Sequence, residues 1–168
     1  MKKLEDWEFI ALCEAGTAEE IRNAIHLQGA NVDASNIEGY TALMSAALGN
    51  NLEAVKVLVQ EGAYLNFQHE RGYTALTAAI YSNNLEMVNV LIKAGADVNY
   101  ENDYGISELM EAVCYGNPDI VNALIKAGAR VYAVNTETDE TIFDYAESLP
   151  DSDDKTKIIA MLKKADAF

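Results

Sequence analysis

One short phrase returns four times along the chain: Gly29-Ala30-Asn31-Val32, Gly62-Ala63-Tyr64-Leu65, Gly95-Ala96-Asp97-Val98 and Gly128-Ala129-Arg130-Val131, each thirty-three residues after the one before. A constant period of this length means one supersecondary unit copied along the chain. Each copy buries against its neighbours a hydrophobic face that it cannot bury alone. Such a chain presents surfaces rather than a deep pocket.

A second phrase keeps the same period: Gly39-Tyr40-Thr41-Ala42-Leu43, Gly72-Tyr73-Thr74-Ala75-Leu76 and Gly105-Ile106-Ser107-Glu108-Leu109. The glycine tolerates positive φ in a tight turn, and the hydroxyl of Thr41, Thr74 or Ser107 stands where it caps the free N–H groups of a starting helix. A helix of small residues follows, such as Ala42-Leu43-Met44-Ser45-Ala46-Ala47, then a polar break at Gly49-Asn50-Asn51. The second helix carries Leu52, Val55, Leu58 and Val59 at the three-and-four spacing of one buried stripe. Its counterparts are Leu85, Val88, Leu91 and Ile92, then Ile120, Val121, Leu124 and Ile125. Gly62, Gly95 and Gly128 close these helices where a left-handed residue is wanted.

Taken with "NNLEAVKVLVQEGAYLN", "NNLEMVNVLIKAGADVN" and "NPDIVNALIKAGARV", the chain resembles the ankyrin repeat family over nearly its whole length. The resemblance implies an all-α solenoid of stacked helix-turn-helix units joined by extended, hairpin-like loops. This chain departs from the family's usual Thr-Pro-Leu-His, reading Thr-Ala-Leu-Met, Thr-Ala-Leu-Thr, Ser-Glu-Leu-Met and Thr-Ile-Phe-Asp. Without that proline and histidine the hairpin tips lose a preset φ and a bracing hydrogen bond, so slightly less rigid tips are expected.

The same ruler places both ends. Trp7 to Gly29 read as a degenerate first repeat, with Gln28 one extra residue in its closing turn, and a last repeat begins near Asn135 with a widened loop from Ser148 to Asp154. Residues 1–168 are thus expected to form a single domain of five repeats, near 4–36, 37–69, 70–102, 103–135 and 136–168. Lys155, Lys157, Lys163 and Lys164 give the last repeat a polar outer face, as a terminal repeat requires.

Charge and the sparse chemistry narrow the function. The net charge is −15 and half the residues are hydrophobic, enough for an adequate core. No apolar run is long enough to span a membrane, and "MKKLEDWEFIALCEAG" puts acids where a signal peptide needs an unbroken apolar segment, so a cytoplasmic location is expected. Cys13 and Cys114 fall in first helices three repeats apart; with stacked helices roughly 8–10 Å apart they are too distant to pair. His26 and His69 are read as solvated, and no metal site, cofactor or catalytic group is expected. The glycines punctuate turns and never form a phosphate loop, and the carboxylates are spread over exposed hairpins with no apolar pocket to separate their pKa values. The chain is therefore read as a non-enzyme.

The resemblance also says where a partner would sit: on hairpin tips and the exposed side of the first helices, which line a concave face. At the repeat period these positions give rows: Ile37, Glu70 and Asp103; Tyr40, Tyr73 and Ile106, with Tyr104 alongside; Leu48, Tyr81 and Cys114; Gly49, Ser82 and Tyr115. Tyrosine offers large contact area at small entropic cost. Tyr73 and Tyr81 are the strongest anchors, and Tyr115 joins Tyr81 as a contact residue; Tyr40 and Tyr73 equally fit a purely structural role, packing on the next hairpin. Between Glu137 and Asp154 lie eight acids and no base. An acidic field repels nucleic acid and anionic membrane and steers in a basic partner, although acidic surfaces also arise simply because they keep proteins soluble.

The function expected is a protein-binding module, acting as a scaffold or as an inhibitor or antidote of a partner with a basic surface, the chain itself a monomer. A sharper form places the acidic end in a cationic cleft such as that of a nuclease. The alternatives are an enzyme or small-ligand binder built on the same stack, and a structural spacer.

Overall fold

The computed structural model describes residues 4–167. Met1-Lys2-Lys3 of the stretch read against a signal peptide, and Phe168 at the end of the fifth repeat, lie outside them. The described residues form α1 (Asp6–Ala15), α2 (Ala18–Gln28), α3 (Ala42–Leu48), α4 (Leu52–Gln60), α5 (Ala75–Tyr81), α6 (Leu85–Ala94), α7 (Glu108–Tyr115), α8 (Pro118–Lys126), α9 (Ile142–Ser148) and α10 (Asp153–Asp166). Among the described residues the only β pairing is three isolated antiparallel bridges at hairpin stems, Ser35 with Thr41, Glu101 with Ser107 and Val134 with Thr141. The fold is an all-α repeat solenoid.

Each unit starts as its cap residues dictate. Thr41 Oγ1 accepts the Met44 N–H at 3.2 Å, Thr74 accepts from Leu76 and Thr77, and Ser107 accepts from Met110 at 3.2 Å. In the polar breaks the chain reverses through a left-handed residue: Asn50 (φ 55°), Asn83 (φ 52°) and Gly116 (φ 68°). Asparagine tolerates this region better than most residues because its short side chain bonds locally. The next residue, Asn51, Asn84 or Asn117, caps the second helix.

The chain divides into two compact units, Met1–Ala96 and Asp97–Phe168. In the first, α1 packs on α3 and α3 on α5, while α2, α4 and α6 form a second layer. Phe9, Ile21, Leu43, Met44, Leu58, Leu76, Ile80, Met87 and Leu91 are fully buried between the layers. A side chain of this size gains about 1.5–3 kcal/mol on leaving water. Ala46, Ala47 and Ala79 are wholly inaccessible, and their small size lets the first helices approach closely. Polar bonds then fix one repeat against the next. Asn51 Nδ2 donates to the Cys13 and Gly16 carbonyls (3.1 and 2.8 Å), Ser82 Oγ to the Ala47 carbonyl (2.7 Å), and Asn84 Nδ2 to Asn50 Oδ1 (2.8 Å). Lys56 Nζ bridges Glu53 of its own helix and Glu86 of the next, at 2.9 and 3.0 Å.

In the second unit α7 packs on α8 and α9, and α10 on α8 and α9. Leu109, Met110, Val113, Ile120, Val121, Leu124, Ile142, Ile158 and Leu162 fill its core. Lys155 departs from the solvated role expected of it. Its side chain is only 15% exposed, and its ammonium donates to the Glu147 carbonyl at 2.6 Å and pairs with Asp151 at 3.2 Å. The widened loop is thus tied down at its middle and at the end of α9.

Candidate functional site: an aromatic cleft on the hairpin side

The hairpins are braced from a column that the sequence reading left unused. Asn36, His69, Asn102 and Asn135 stand thirty-three residues apart. Asn36 Oδ1 accepts the N–H groups of Glu38 and Tyr40 (3.0 and 2.9 Å), and Asn102 Oδ1 those of Tyr104 and Ile106 (3.0 and 3.1 Å). Asn135 Oδ1 accepts from Glu137 at 2.9 Å. Such side-chain turns hold the local backbone without help from a sheet. These residues give the hairpins side-chain bonds of their own, in the loop before each first helix.

His69 takes the asparagine's place in the second hairpin, and it corrects the reading of a solvated ring. It is 9% exposed, and its Nδ1 accepts the Arg71 N–H at 3.2 Å, which puts the ring proton on Nε2. Its centroid lies 4.1 Å from that of Tyr40 and 6.2 Å from that of Tyr73, and Tyr73 meets Tyr81 edge-on at 5.4 Å. Tyr40, His69, Tyr73 and Tyr81 therefore form a continuous chain of rings across two hairpins and the end of α5. The other histidine does face solvent: His26 Nε2 lies 2.9 Å from the Glu61 carboxylate, with its side chain 56% exposed.

Between these rings lies a cleft of about 100 Å³. Tyr40, Tyr73 and Tyr81 wall it together with Met44, Leu48 and Ala78, and Thr74 contributes at the base. Tyr40, Tyr73 and Tyr81 are each half-buried. Tyr81, expected to stand out of the groove, instead leans edge-on against Tyr73. The volume is well below the roughly 300–1,000 Å³ of small-molecule pockets and suits a single side chain. Tyr40 is shared with a broad shallow depression bordered by Ile37, Glu38, His69, Glu70 and Arg71. Glu70 thus lies beside the aromatic cleft, exposed to solvent.

The remaining candidates lie in the second unit. Tyr104 is 44% and Tyr115 52% exposed, Ile106 is half-buried, and Asp103 is exposed at its hairpin tip. The Tyr104 carbonyl accepts the Thr136 N–H at 2.8 Å, so a backbone bond ties its hairpin to the following one. Glu108, where the family pattern has proline, is 2% exposed. The Tyr100 phenol is pushed up first by partial burial and then by the charges of Asp103 and Glu108. Sequence periodicity did not single out Tyr132, which is 67% exposed.

Both thiols are held protonated. Burial pushes Cys13 up to about 12, and burial with the Glu111 charge pushes Cys114 up to about 11. Neither is a nucleophile near neutral pH. Among the described residues no cluster of three His, Cys, Asp or Glu side chains is placed to hold a metal ion, and no helix is long and apolar enough to cross a membrane.

Comparison with known proteins agrees with this architecture. Residues 9–102 and 65–135 match the family model described as ankyrin repeats (3 copies). No curated protein matched the chain.

Proposed function

Because the chain belongs to the ankyrin repeat family, whose repeats are generally protein–protein interaction modules, we propose that it binds a partner protein through the hairpin side of its repeats, with the tyrosine cleft as the central anchor. The observation that carries this reading is the cleft itself. Three tyrosines, each half-buried, converge on a space sized for one side chain. Aromatic anchors surrounded by polar rims are the usual centres of interface energy. The small volume argues against a cofactor or metabolite site, and the family is typically non-enzymatic.

The proposed partner is basic. Met1–Ala96 carries twelve acidic residues against six basic, and Asp97–Phe168 fifteen against six. Asp103, Glu137, Asp139 and Glu140 stand exposed on the hairpins of the second unit. Tyr115, Tyr104 and Ile106 would add apolar area beside it. A scaffold and an inhibitor that occupies a cationic cleft both use such a surface.

The direct test is capture of partners from native extract by the wild-type protein and by a Tyr73→Ala/Tyr81→Ala variant, with circular dichroism as the folding control. Loss of a partner at unchanged helicity is the expected result. A variant that keeps every partner of the wild type would remove the cleft from the binding face.

A further inference from the structure

We propose that the Tyr40–Tyr73–Tyr81 cleft receives one arginine side chain of the partner, its methylene stem against Met44, Leu48 and Ala78 and its guanidinium on the tyrosine faces beside Glu38 and Glu70. This deepens the reading of the hairpin side as the binding face and rests on it. Three features of the cleft select the occupant.

Its walls are aromatic and aliphatic with Thr74 as the one hydroxyl residue beside the tyrosines, and among the described residues no charged side chain lines it. A long stem fills such a space by burying methylenes while the polar head stays at the mouth. The depression that shares the Tyr40 wall is acidic on balance: it is lined by two carboxylates, Glu38 and Glu70, against Arg71 alone. Glu38, Glu70 and Arg71 are all exposed and can rearrange around an incoming cation.

The rings then decide between basic side chains. Tyr73 and Tyr81 meet at 68° with centroids 5.4 Å apart, and both rings line the cleft together with Tyr40. A tyrosine face attracts a cation electrostatically, and arginine is found in such contacts more often than lysine. Guanidinium is also planar and weakly hydrated, so it stacks and loses its water more readily than an ammonium. A neutral aliphatic side chain would gain only the apolar walls and nothing from the rings' charge distribution or the carboxylates.

The test uses four capped pentapeptides, Gly-Gly-X-Gly-Gly, with X arginine, lysine, citrulline or norleucine, titrated while the tyrosine ring resonances are followed by NMR. Trp7, the only tryptophan in the sequence, is not among the cleft residues and serves as an internal reference. The expected result is a saturable shift of the Tyr73 and Tyr81 rings by the arginine peptide, at least about threefold weaker binding of the citrulline, lysine and norleucine peptides, and an unmoved Trp7. Glu38→Gln with Glu70→Gln, both at exposed positions, should weaken the arginine peptide about two- to threefold without unfolding the protein.

Citrulline or norleucine binding as tightly as arginine would overturn the cationic occupant, and lysine binding as tightly would overturn the guanidinium. Ring resonances that no peptide moves would overturn the cleft as a side-chain receptor. These outcomes leave the partner-capture result untouched. If capture still fails with the Tyr73→Ala/Tyr81→Ala variant while citrulline or norleucine matches arginine, the binding face stands and only its occupant is wrong.

Discussion

Two glycines in equivalent left-handed conformations separate backbone strain from collision. Gly62 (φ +83°) has open space where a Cβ would be, whereas at Gly105 (φ +72°) an added Cβ would run into the Val134 carbonyl and approach the Thr136 side chain. Both substitutions place an L-residue in the left-handed region, at about 1–2 kcal/mol. Gly62→Ala should therefore lose about 1 kcal/mol in urea unfolding and Gly105→Ala about 2 kcal/mol or more, because the hairpin must also shift. Equal losses would mean that the backbone gives way without cost. His69 offers a second residue-scale test. His69→Asn restores the bracing residue found at 36, 102 and 135 but loses the ring contacts with Tyr40 and Tyr73, whereas His69→Ala loses both. His69→Ala should be less stable than His69→Asn by about 1 kcal/mol, the value of one turn hydrogen bond.

Among the elements, α9 shows how a short helix is started by charge. Thr141 Oγ1 accepts the Asp144 N–H at 3.3 Å, and the Asp144 carboxylate accepts in return from the Thr141 N–H and hydroxyl at 2.8 and 2.6 Å. The bonds from Thr141 hold the Asp144 carboxyl below its ordinary value of 3.8. A carboxyl whose folded pKa lies below its unfolded one stabilises the fold above the unfolded value and loses that contribution as pH falls through the folded one. The stability gap between wild type and Asp144→Ala should thus be constant from pH 7 to about 5 and close on acidification below 3.8; denaturant unfolding across this range reads it. A gap independent of pH would assign the cap to Thr141 alone. The same reciprocal arrangement at Thr17 and Glu20 starts α2 and lowers the Glu20 carboxyl through its bonds with Thr17.

At the scale of the whole molecule, the excess of acid is the largest single electrostatic fact. A net charge of −15 is screened over about 10 Å at 0.1 M salt, so its influence on a partner is mainly on encounter rate and specificity. Association with a basic partner should weaken by roughly tenfold or more between 0.05 and 0.5 M sodium chloride, chiefly through the on-rate measured by surface plasmon resonance. An affinity unchanged over that range would reduce the acidic surface to a device for solubility. The apolar cleft, being uncharged, should keep a residual affinity at high salt that Tyr81→Ala removes.

Periodicity determined the helices, the hydroxyl caps of the first helices and the centres of the buried stripes, Val55, Leu58, Val88, Leu91, Ile120, Val121 and Leu124; Leu52, Val59, Leu85, Ile92 and Ile125 lie only half-buried at their edges, and Ala54, Val57 and Met87 are buried beside them. Each depends on contacts within one unit or between identical neighbours, and a regular stack writes such contacts into the sequence at a fixed interval. It also isolated Tyr40, Tyr73 and Tyr81 as positions released from the helix stripe. It did not reveal how they are used. The bracing role of His69 was visible as spacing, because 36, 69, 102 and 135 share one column, but a histidine among asparagines reads as an exception until its Nδ1 is seen on the Arg71 amide. Lys155 looked like one more solvated lysine until the loop folded back on it. That three tyrosines and a histidine form one chain of rings around a side-chain-sized space was decided only in three dimensions. Ring packing depends on angles and distances between side chains of successive repeats, and a repeat period fixes which residues meet without fixing how they face.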